Sequence, residues 1–273
     1  MITSNNIGVH GRFGNQLFQF ASIIGIGEKL NYEVKFPRKN LSPMGSGMTR
    51  ENKKFTYYFE INECFDVDQN FFSDDIVIEN YVSEQSFHFD ENLFNIKDNT
   101  NITGYLQSEK YFKHCENKIK DTLKFKENIV ELAKSYLPQT DKQLVSIHVR
   151  RGDNAVINPY HPLVGLEFIN PAIEMFNKDE YHFVVCSDDF EWCKEVWGDD
   201  QNFTIVNSNS PYVDLCTMSL CDHHIISNST FSWWSSYLSK NKSKKIIAPL
   251  NWFGVAYSNL KTDDLYTDNM IRI

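Results

Sequence analysis

Between residues 144 and 248, short apolar runs alternate with segments of helical period, and this alternation constrains the fold more than any other feature. The runs are 144–149, 181–186, 203–206, 224–226 and 245–248; the stretches 190–197, 212–221 and 231–238 between them read as helices. Strands that are apolar on both faces belong in a sheet covered by helices. Strand–helix–strand spacing of this kind joins parallel neighbours. The second half of the chain is therefore expected to be parallel α/β. In such sheets ligands bind beyond the carboxyl ends of the strands, so the residues that follow each run are where chemistry should sit.

The first half opens in the same way. A strand is expected at 6–9, then the loop Gly11-Arg12-Phe13-Gly14-Asn15-Gln16, then a helix over 17–30 with Leu17, Phe20, Ala21, Ile24 and Leu30 at helical spacing. Residues 38–54 combine Gly, Pro, Ser and charges and read as a long loop. Short strands are expected at 76–78 and 102–105 and helices over 107–126 and 128–136, the last stopped by Pro138. The boundary between halves is placed near 140–142, giving domains 1–140 and 141–273. A length of 273 residues accommodates two such units.

Composition narrows the partners. The formal net charge of −9 argues against nucleic acid, whose phosphates need a basic face. A local basic cluster could still hold a small anion. Lys240, Lys242, Lys244 and Lys245 form a run that a solvated loop explains, with an acidic membrane surface as the other reading. The six cysteines make no Cys-x-x-Cys pair, and no Cys/His group has ligand spacing; they read as reduced core residues, with no metal site. The apolar run 18–27 is broken by Gln19 and falls short of the ~20 residues of a membrane span. The start is polar, without a secretory signal. The expected setting is cytoplasmic, with peripheral contact at the inner membrane face as a variant.

Three polar clusters follow expected strands. In His148-Val149-Arg150-Arg151-Gly152-Asp153, alternation puts His148 and Arg150 on one face, and two guanidiniums suit a phosphate. The competing reading is an ion pair of Arg151 with Asp153. In Ser227-Asn228-Ser229-Thr230-Phe231-Ser232-Trp233-Trp234, hydroxyls at a helix start suit a diphosphate, or else simply cap the helix. In Ser187-Asp188-Asp189, and at Asp214, a carboxylate could accept from ribose hydroxyls or a guanine edge, or again be an N-cap. No phosphate-binding Gly-x-x-x-x-Gly-Lys-Ser/Thr loop and no dinucleotide fingerprint occurs, which excludes P-loop nucleotidases and argues against dehydrogenases.

The motif His-Val-Arg-Arg-Gly-Asp at 148–153 resembles the signature of GDP-fucose-dependent transferases. Gly-Arg-Phe-Gly-Asn-Gln-Leu-Phe-Gln-Phe-Ala at 11–21 resembles the opening motif of the α-1,2-fucosyltransferases of glycosyltransferase family 11. Gly-Tyr-Leu-Gln-Ser-Glu-Lys-Tyr-Phe at 104–112 and the cluster at 227–234 are similar to further motifs of that family, in matching order. The resemblance implies an α/β, GT-B-like fold of two Rossmann-like halves facing a cleft, the first on the acceptor side and the second binding the donor. It implies inverting, metal-independent transfer of L-fucose from GDP-fucose, as co-substrate with no cofactor, to a sugar hydroxyl. The family's usual acceptor is a galactoside, so O-2 of a galactoside in a surface glycan, on an oligosaccharide or glycolipid, is the default.

Roles also follow from the resemblance. Arg150 would hold the β-phosphate of the departing GDP, with Arg151 beside it. Ser229, Thr230 and Phe231 would line the phosphates. His148, Asp188 and Asp214 would bind the nucleoside end. Arg12, Phe13, Gly14 and Asn15 would reach the donor from the first half. No carboxylate stands out as base; Asp153 and Glu109 are weak candidates. The alternatives are a protein O-fucosyltransferase, whose opening loop residues 11–16 also resemble, and a non-catalytic nucleotide- or fucose-binding module.

Overall fold

The computed structural model describes residues 1–8, 11–41, 45–48, 54–152 and 159–273. The chain forms two compact units. One is Met1–Phe125 with Leu260–Thr267; the other is Lys126–Asn259 with Asp268–Ile273. The division thus falls before the expected 140/141, because the helix following it packs on the second unit, and a C-terminal excursion belongs to the first unit.

The first unit contains β1 (Ile2–Thr3), α1 (Phe13–Leu30), β2 (Phe36–Pro37), β3 (Gly45–Met48), β4 (Lys54–Tyr57), α2 (Ile61–Cys64), β5 (Phe72–Ser73), β6 (Asn80–Ser83), β7 (Thr100–Thr103) and α3 (Glu116–Thr122). Its main sheet is parallel, in the order β1-β7-β6. A residue run that is apolar almost all round makes α1 a buried helix: from Phe13 to Gly27 every position but Asn15 is buried. It ends on Asn31 in the left-handed region at φ 55°. Phe20 sits in a cluster of rings, 5.0 Å from Phe36 and 5.5 Å from Phe59. The expected first strand at 6–9 is displaced to Ile2–Thr3, and residues 5–8 form a turn. The stretch read as a loop, 38–54, contains β3, which pairs antiparallel with β4. The helix expected over 107–126 is three pieces: two short 3-10 turns, Glu109–Tyr111 and Lys113–Cys115, and then α3.

The second unit holds α4 (Glu127–Ser135), β8 (Gln143–Val149), α5 (Leu166–Glu174), β9 (Tyr181–Ser187), α6 (Phe190–Trp197), β10 (Phe203–Ile205), α7 (Pro211–Ser219), β11 (His223–Ile225), α8 (Thr230–Leu238), β12 (Ile246–Ala248) and β13 (Met270–Arg272). Six parallel strands lie in the order β10-β9-β8-β11-β12-β13. In β9, residues 182–186 are all buried, as a strand covered on both faces requires. Phe183 and Val185 face a core with Phe168, Ile169, Cys193 and Trp197, while Val184 and Cys186 face Val206, Met218 and Cys221. α4 packs on α7.

The strand order has one reversal. From β8 the chain proceeds outward through β9 and β10, then returns to start again at β11 on the other flank of β8. The carboxyl ends of β8 and β11 therefore flank the topological switch point, where a doubly wound sheet opens a crevice. Both units are built on parallel sheets, and the fold is α/β and GT-B-like; the second unit is a full doubly wound sheet and the first a smaller, three-stranded one. No helix among the described residues is long and apolar enough to cross a membrane.

Candidate functional site

The carboxyl ends of β8 and β11 carry a ladder of polar pairs. Ser146, His148 and Arg150 alternate along β8 and its end, and each meets a residue of β11 or of the loop after it. Ser146 Oγ and His224 Nδ1 are hydrogen bonded at 2.8 Å, as are His148 Nδ1 and Ser227 Oγ. Arg150 Nη1 donates to Ser229 Oγ at 3.4 Å. The side-chain alternation expected for His148 and Arg150 is present. His148 also lies 5.4 Å from the ring of Phe231. Burial, and then the Arg150 charge, depress its pKa to about 3, so its ring is neutral at physiological pH.

Ser229 occupies the N-cap position of α8, with φ −139° and ψ 126°, yet its side chain makes no capping bond. Elsewhere in the unit the same residue types do cap: Ser210 Oγ accepts from Val213 N at the start of α7, and Asp189 Oδ1 from Trp192 N at the start of α6. The hydroxyl of Ser229 is turned instead to the guanidinium of Arg150. Thr230 and Phe231 form the first turn of α8, where the helix dipole is positive.

Arg151 is engaged elsewhere. Its Nε donates to Asp189 Oδ2 at 3.0 Å, and its guanidinium lies over the Trp192 ring at 4.1 Å. Its backbone N–H donates to Asp188 Oδ1 at 2.7 Å. The two acidic residues after β9 thus shape the turn after β8, and Asp189 forms an ion pair with Arg151. Asp153 lies outside the described residues. Asp214, in the first turn of α7, accepts from Ser208 Oγ at 2.6 Å; burial outweighs that bond and raises its pKa to about 6. Cys186, in register with His148, directs its thiol to the Asp214 carbonyl at 3.9 Å, which puts Asp214 at the level of His148 on the sheet.

Asn228 was not singled out by the sequence, where it reads as one more polar loop residue. Its Nδ2 donates to Pro162 O at 3.0 Å and to Trp252 O at 3.1 Å, joining two loops distant in sequence beside Ser229 in the chain.

In the first unit the loop at 11–16 leads into α1. Gly11 has φ +86°, and a Cβ there would lie 2.0 Å from Asn15 Nδ2, so only glycine lets Asn15 fold back over it. Asn15 Oδ1 accepts from Gln107 Nε2 at 2.9 Å. Gln16 bonds Tyr58 O through Nε2 at 3.1 Å and accepts from Glu60 N at 2.9 Å. Arg12 is exposed, and its charge opposes the burial that raises the pKa of Glu60. Gly14 is buried in the first turn of α1. Phe13 is 5% exposed and stacks on Phe65 at 6.2 Å, which makes its side chain a core group rather than one presented to a ligand. Glu109 is paired with Lys113 at 3.0 Å. An Asp-x-Asp triplet is present, Asp66-Val67-Asp68, but Asp68 is spent on Asn70 N. Among the described residues, no three His, Cys, Asp or Glu side chains gather into a group that could hold a metal ion.

The model of glycosyl transferase family 11 matches residues 1–273, the whole chain. The chain belongs to glycosyl transferase family 11. This family 11 protein is similar to two Escherichia coli proteins. It is 31% identical over 116 residues to the O-antigen biosynthesis glycosyltransferase WbnK, covering 40% of this chain and 38% of the relative. It is 31% identical over 170 residues to an alpha-1,2-colitosyltransferase, covering 58% of each. With the galactoside alpha-(1,2)-fucosyltransferase 1 of Homo sapiens it shares 25% identity over 253 residues, covering 84% of this chain and 64% of the relative. The chain thus spans from 38% to 64% of the length of these curated relatives.

Two solved structures share the fold of the family 11 protein. One is POFUT1 in complex with GDP, at TM-score 0.53 and 13% identity, covering 90% of this chain and 96% of the other. The second is the fucosyltransferase NodZ from Bradyrhizobium, at TM-score 0.52 and 13% identity, covering 86% and 92%.

Proposed function

We propose that this family 11 protein is an inverting, metal-independent fucosyltransferase that moves L-fucose from GDP-fucose to a sugar hydroxyl, O-2 of a galactoside in a surface glycan, in the cytoplasm. The observation that carries the proposal is Ser229. It is a capping residue type at a helix start that does not cap, and it is bonded instead to Arg150 at the switch point of a doubly wound sheet. A guanidinium, a hydroxyl and a positive helix end converge where a diphosphate would lie.

The chemistry follows from charge. As the glycosidic bond to GDP breaks, negative charge grows on the departing diphosphate. Arg150 and the first turn of α8 stabilise that charge, while the sugar carbon gains oxocarbenium character. Ser229, Thr230 and Phe231 line the phosphates. Arg151, held by Asp189 and Trp192, sets the turn that aims Arg150, and Asp188 holds its backbone. Neutral His148 steadies Ser227, and the Asp214 carboxylate suits the N–H donors of a guanine edge. A strongly dissociative path needs no dedicated base, which fits Glu109 being spent on Lys113. The loop at 11–16 contacts substrate chiefly through Asn15 and Arg12.

A second reading is favoured by the relative named as an alpha-1,2-colitosyltransferase at 31% identity. Colitose lacks the 3-hydroxyl of fucose. A site that hydrogen-bonds that hydroxyl rejects the deoxy sugar strongly, and a site that does not would accept it. The test is purified protein with GDP-fucose, GDP-colitose or a UDP-hexose, a panel of galactosides and a folded protein domain as acceptors, all with and without EDTA. GDP release coupled to an α-1,2-linked product from GDP-fucose in EDTA supports the proposal. Preference for GDP-colitose moves it to the second reading. Use of the UDP-sugar, or loss of transfer on chelation with recovery on adding Mn²⁺, overturns it.

A further inference from the structure

The loop at 104–107 turns two backbone amides onto one carboxylate. Tyr105 N and Leu106 N each donate to Glu84 Oε2 at 3.1 Å, and Tyr111 Oη donates to Glu84 Oε1 at 3.2 Å. Tyr111 Oη itself accepts from Asp90 N at 2.8 Å. Glu84 directly follows β6 and the loop directly follows β7, and the two strands pair in register at Ser83 and Thr103. The approach is close enough that a Cβ on Gly104 would stand 2.6 Å from the Glu84 Cβ. Leu106 has φ +53°, a conformation that a leucine keeps only where its surroundings impose it.

The helix α1 grips the same loop from its other side. Gln19 Nε2 donates to Gly104 O, and Ser22 Oγ donates to Leu106 O, both at 3.0 Å. What the held loop delivers is Gln107, whose Nε2 donates to Asn15 Oδ1 at 2.9 Å. With Gln107 as the donor, the Asn15 oxygen is the acceptor and its Nδ2 is left as the donor end.

We propose that Glu84 is a positioning residue for the loop at 11–16: its carboxylate clamps residues 104–107, and through Gln107 it fixes the orientation of the Asn15 amide. The proposal rests on the fucosyl-transfer reading only in taking the loop at 11–16 as substrate-contacting. Both oxygens of Glu84 act as acceptors, which suits the ionised form. Burial raises its pKa to about 7, with the charge of Asp90 adding to the effect and the bonds from Leu106, Tyr111 and Tyr105 opposing it. Tyr111 and Asp90 are the titratable groups that face it among the described residues. The clamp is therefore complete above pH 7 and weakens as the carboxylate protonates below it.

The experiment combines amide hydrogen exchange with kinetics. In the wild-type protein, protection of Tyr105 and Leu106, corrected for intrinsic exchange, should fall several-fold between pH 8 and pH 6. In Glu84→Gln it should stay flat, and in Glu84→Ala it should be lost about ten-fold at pH 8 while α1 keeps its protection. Should the alanine variant fail to fold, the glutamine variant decides alone. Wild-type kcat/KM for transfer should drop through pH 7, that inflection should vanish in Glu84→Gln, and Gln107→Ala should lower kcat/KM about ten-fold with Tyr105 and Leu106 still protected. Flat wild-type protection, an inflection that persists in Glu84→Gln, or normal kcat/KM in Gln107→Ala overturns the proposal. A wild type inactive with every sugar nucleotide sinks the transferase reading instead, and the exchange measurements still decide the clamp.

Discussion

Replacing Arg150 by alanine separates catalysis from folding. In the free protein the side chain donates to the neutral hydroxyl of Ser229 at 3.4 Å. That bond to a neutral hydroxyl should contribute about 1 kcal/mol of stability, the usual scale for a hydrogen bond. On the proposed mechanism the same guanidinium would face a diphosphate that is gaining charge in the transition state, and its loss there should cost about 3 kcal/mol, or roughly 10²-fold in kcat. Lysine should recover little of this, because a point charge does not reproduce the planar fork. Arg150 also lowers the pKa of His148, so its removal should raise the His148 titration midpoint from about 3, while burial keeps it below the ordinary value. The assays are kcat and KM for GDP-fucose, the melting temperature, and NMR titration of the imidazole. A variant with unchanged kcat, or one whose His148 midpoint does not rise, would refute the placement of the guanidinium at the leaving group.

Ser229→Ala should weaken GDP binding several-fold by calorimetry but leave the melting point within about 1 °C, since no cap is lost; a drop equivalent to the ~1 kcal/mol of an ordinary N-cap would show that the hydroxyl caps α8 after all. Phe13→Ala should cost about 3–5 kcal/mol in urea denaturation as a core cavity, and a stable variant with only a raised KM would return Phe13 to the ligand. In global unfolding Glu84 moves into water, so the sign is opposite to that of the loop clamp, whose opening removes the amide donors but leaves the carboxyl buried. The folded-state pKa, about 7, lies above the ordinary 4.5, and the group's contribution to stability against the unfolded chain is full below pH 4.5 and is lost as pH rises through 7. This amounts to about 3 kcal/mol less stability at pH 8 than at pH 4 from this group alone, and Glu84→Gln should remove that part of the slope in denaturant titrations across the range.

The second unit was legible in the sequence because its strands are buried on both faces. Val145, Ile147 and Val149 in β8, and residues 182–186 in β9, leave an apolar run that nothing else imitates. The helix α5 was missed although Phe168, Ile169, Ala172 and Ile173 are buried on one face of it, because Pro171 reads as a breaker. The first unit hid more. Its strand β6 alternates between half-buried and exposed residues, so the apolar run at 76–78 drew the expectation four residues too early. Tyr111 and Phe112 are both buried although adjacent, which an amphipathic helix does not favour and short 3-10 turns allow. At the site, residue types pointed to Arg150 and Ser229, but only the backbone angles and bonds at Ser229 show that its hydroxyl meets Arg150 instead of capping α8. Glu84 left no trace, since its partners lie 21 to 27 positions further on.

The path of the chain after β12 limits how the molecule can be cut. Residues Leu260–Thr267 leave the second unit, and Asp264 receives Phe89 N at 2.7 Å and the Lys110 ammonium before the chain returns as the edge strand β13. A stop codon a few residues upstream of 260 would thus strip an anchor from one unit and a strand from the other at a stroke. Exchange of units between relatives would here take three splice points, at 125/126, 259/260 and 267/268, where a single crossover leaves both hybrids incomplete.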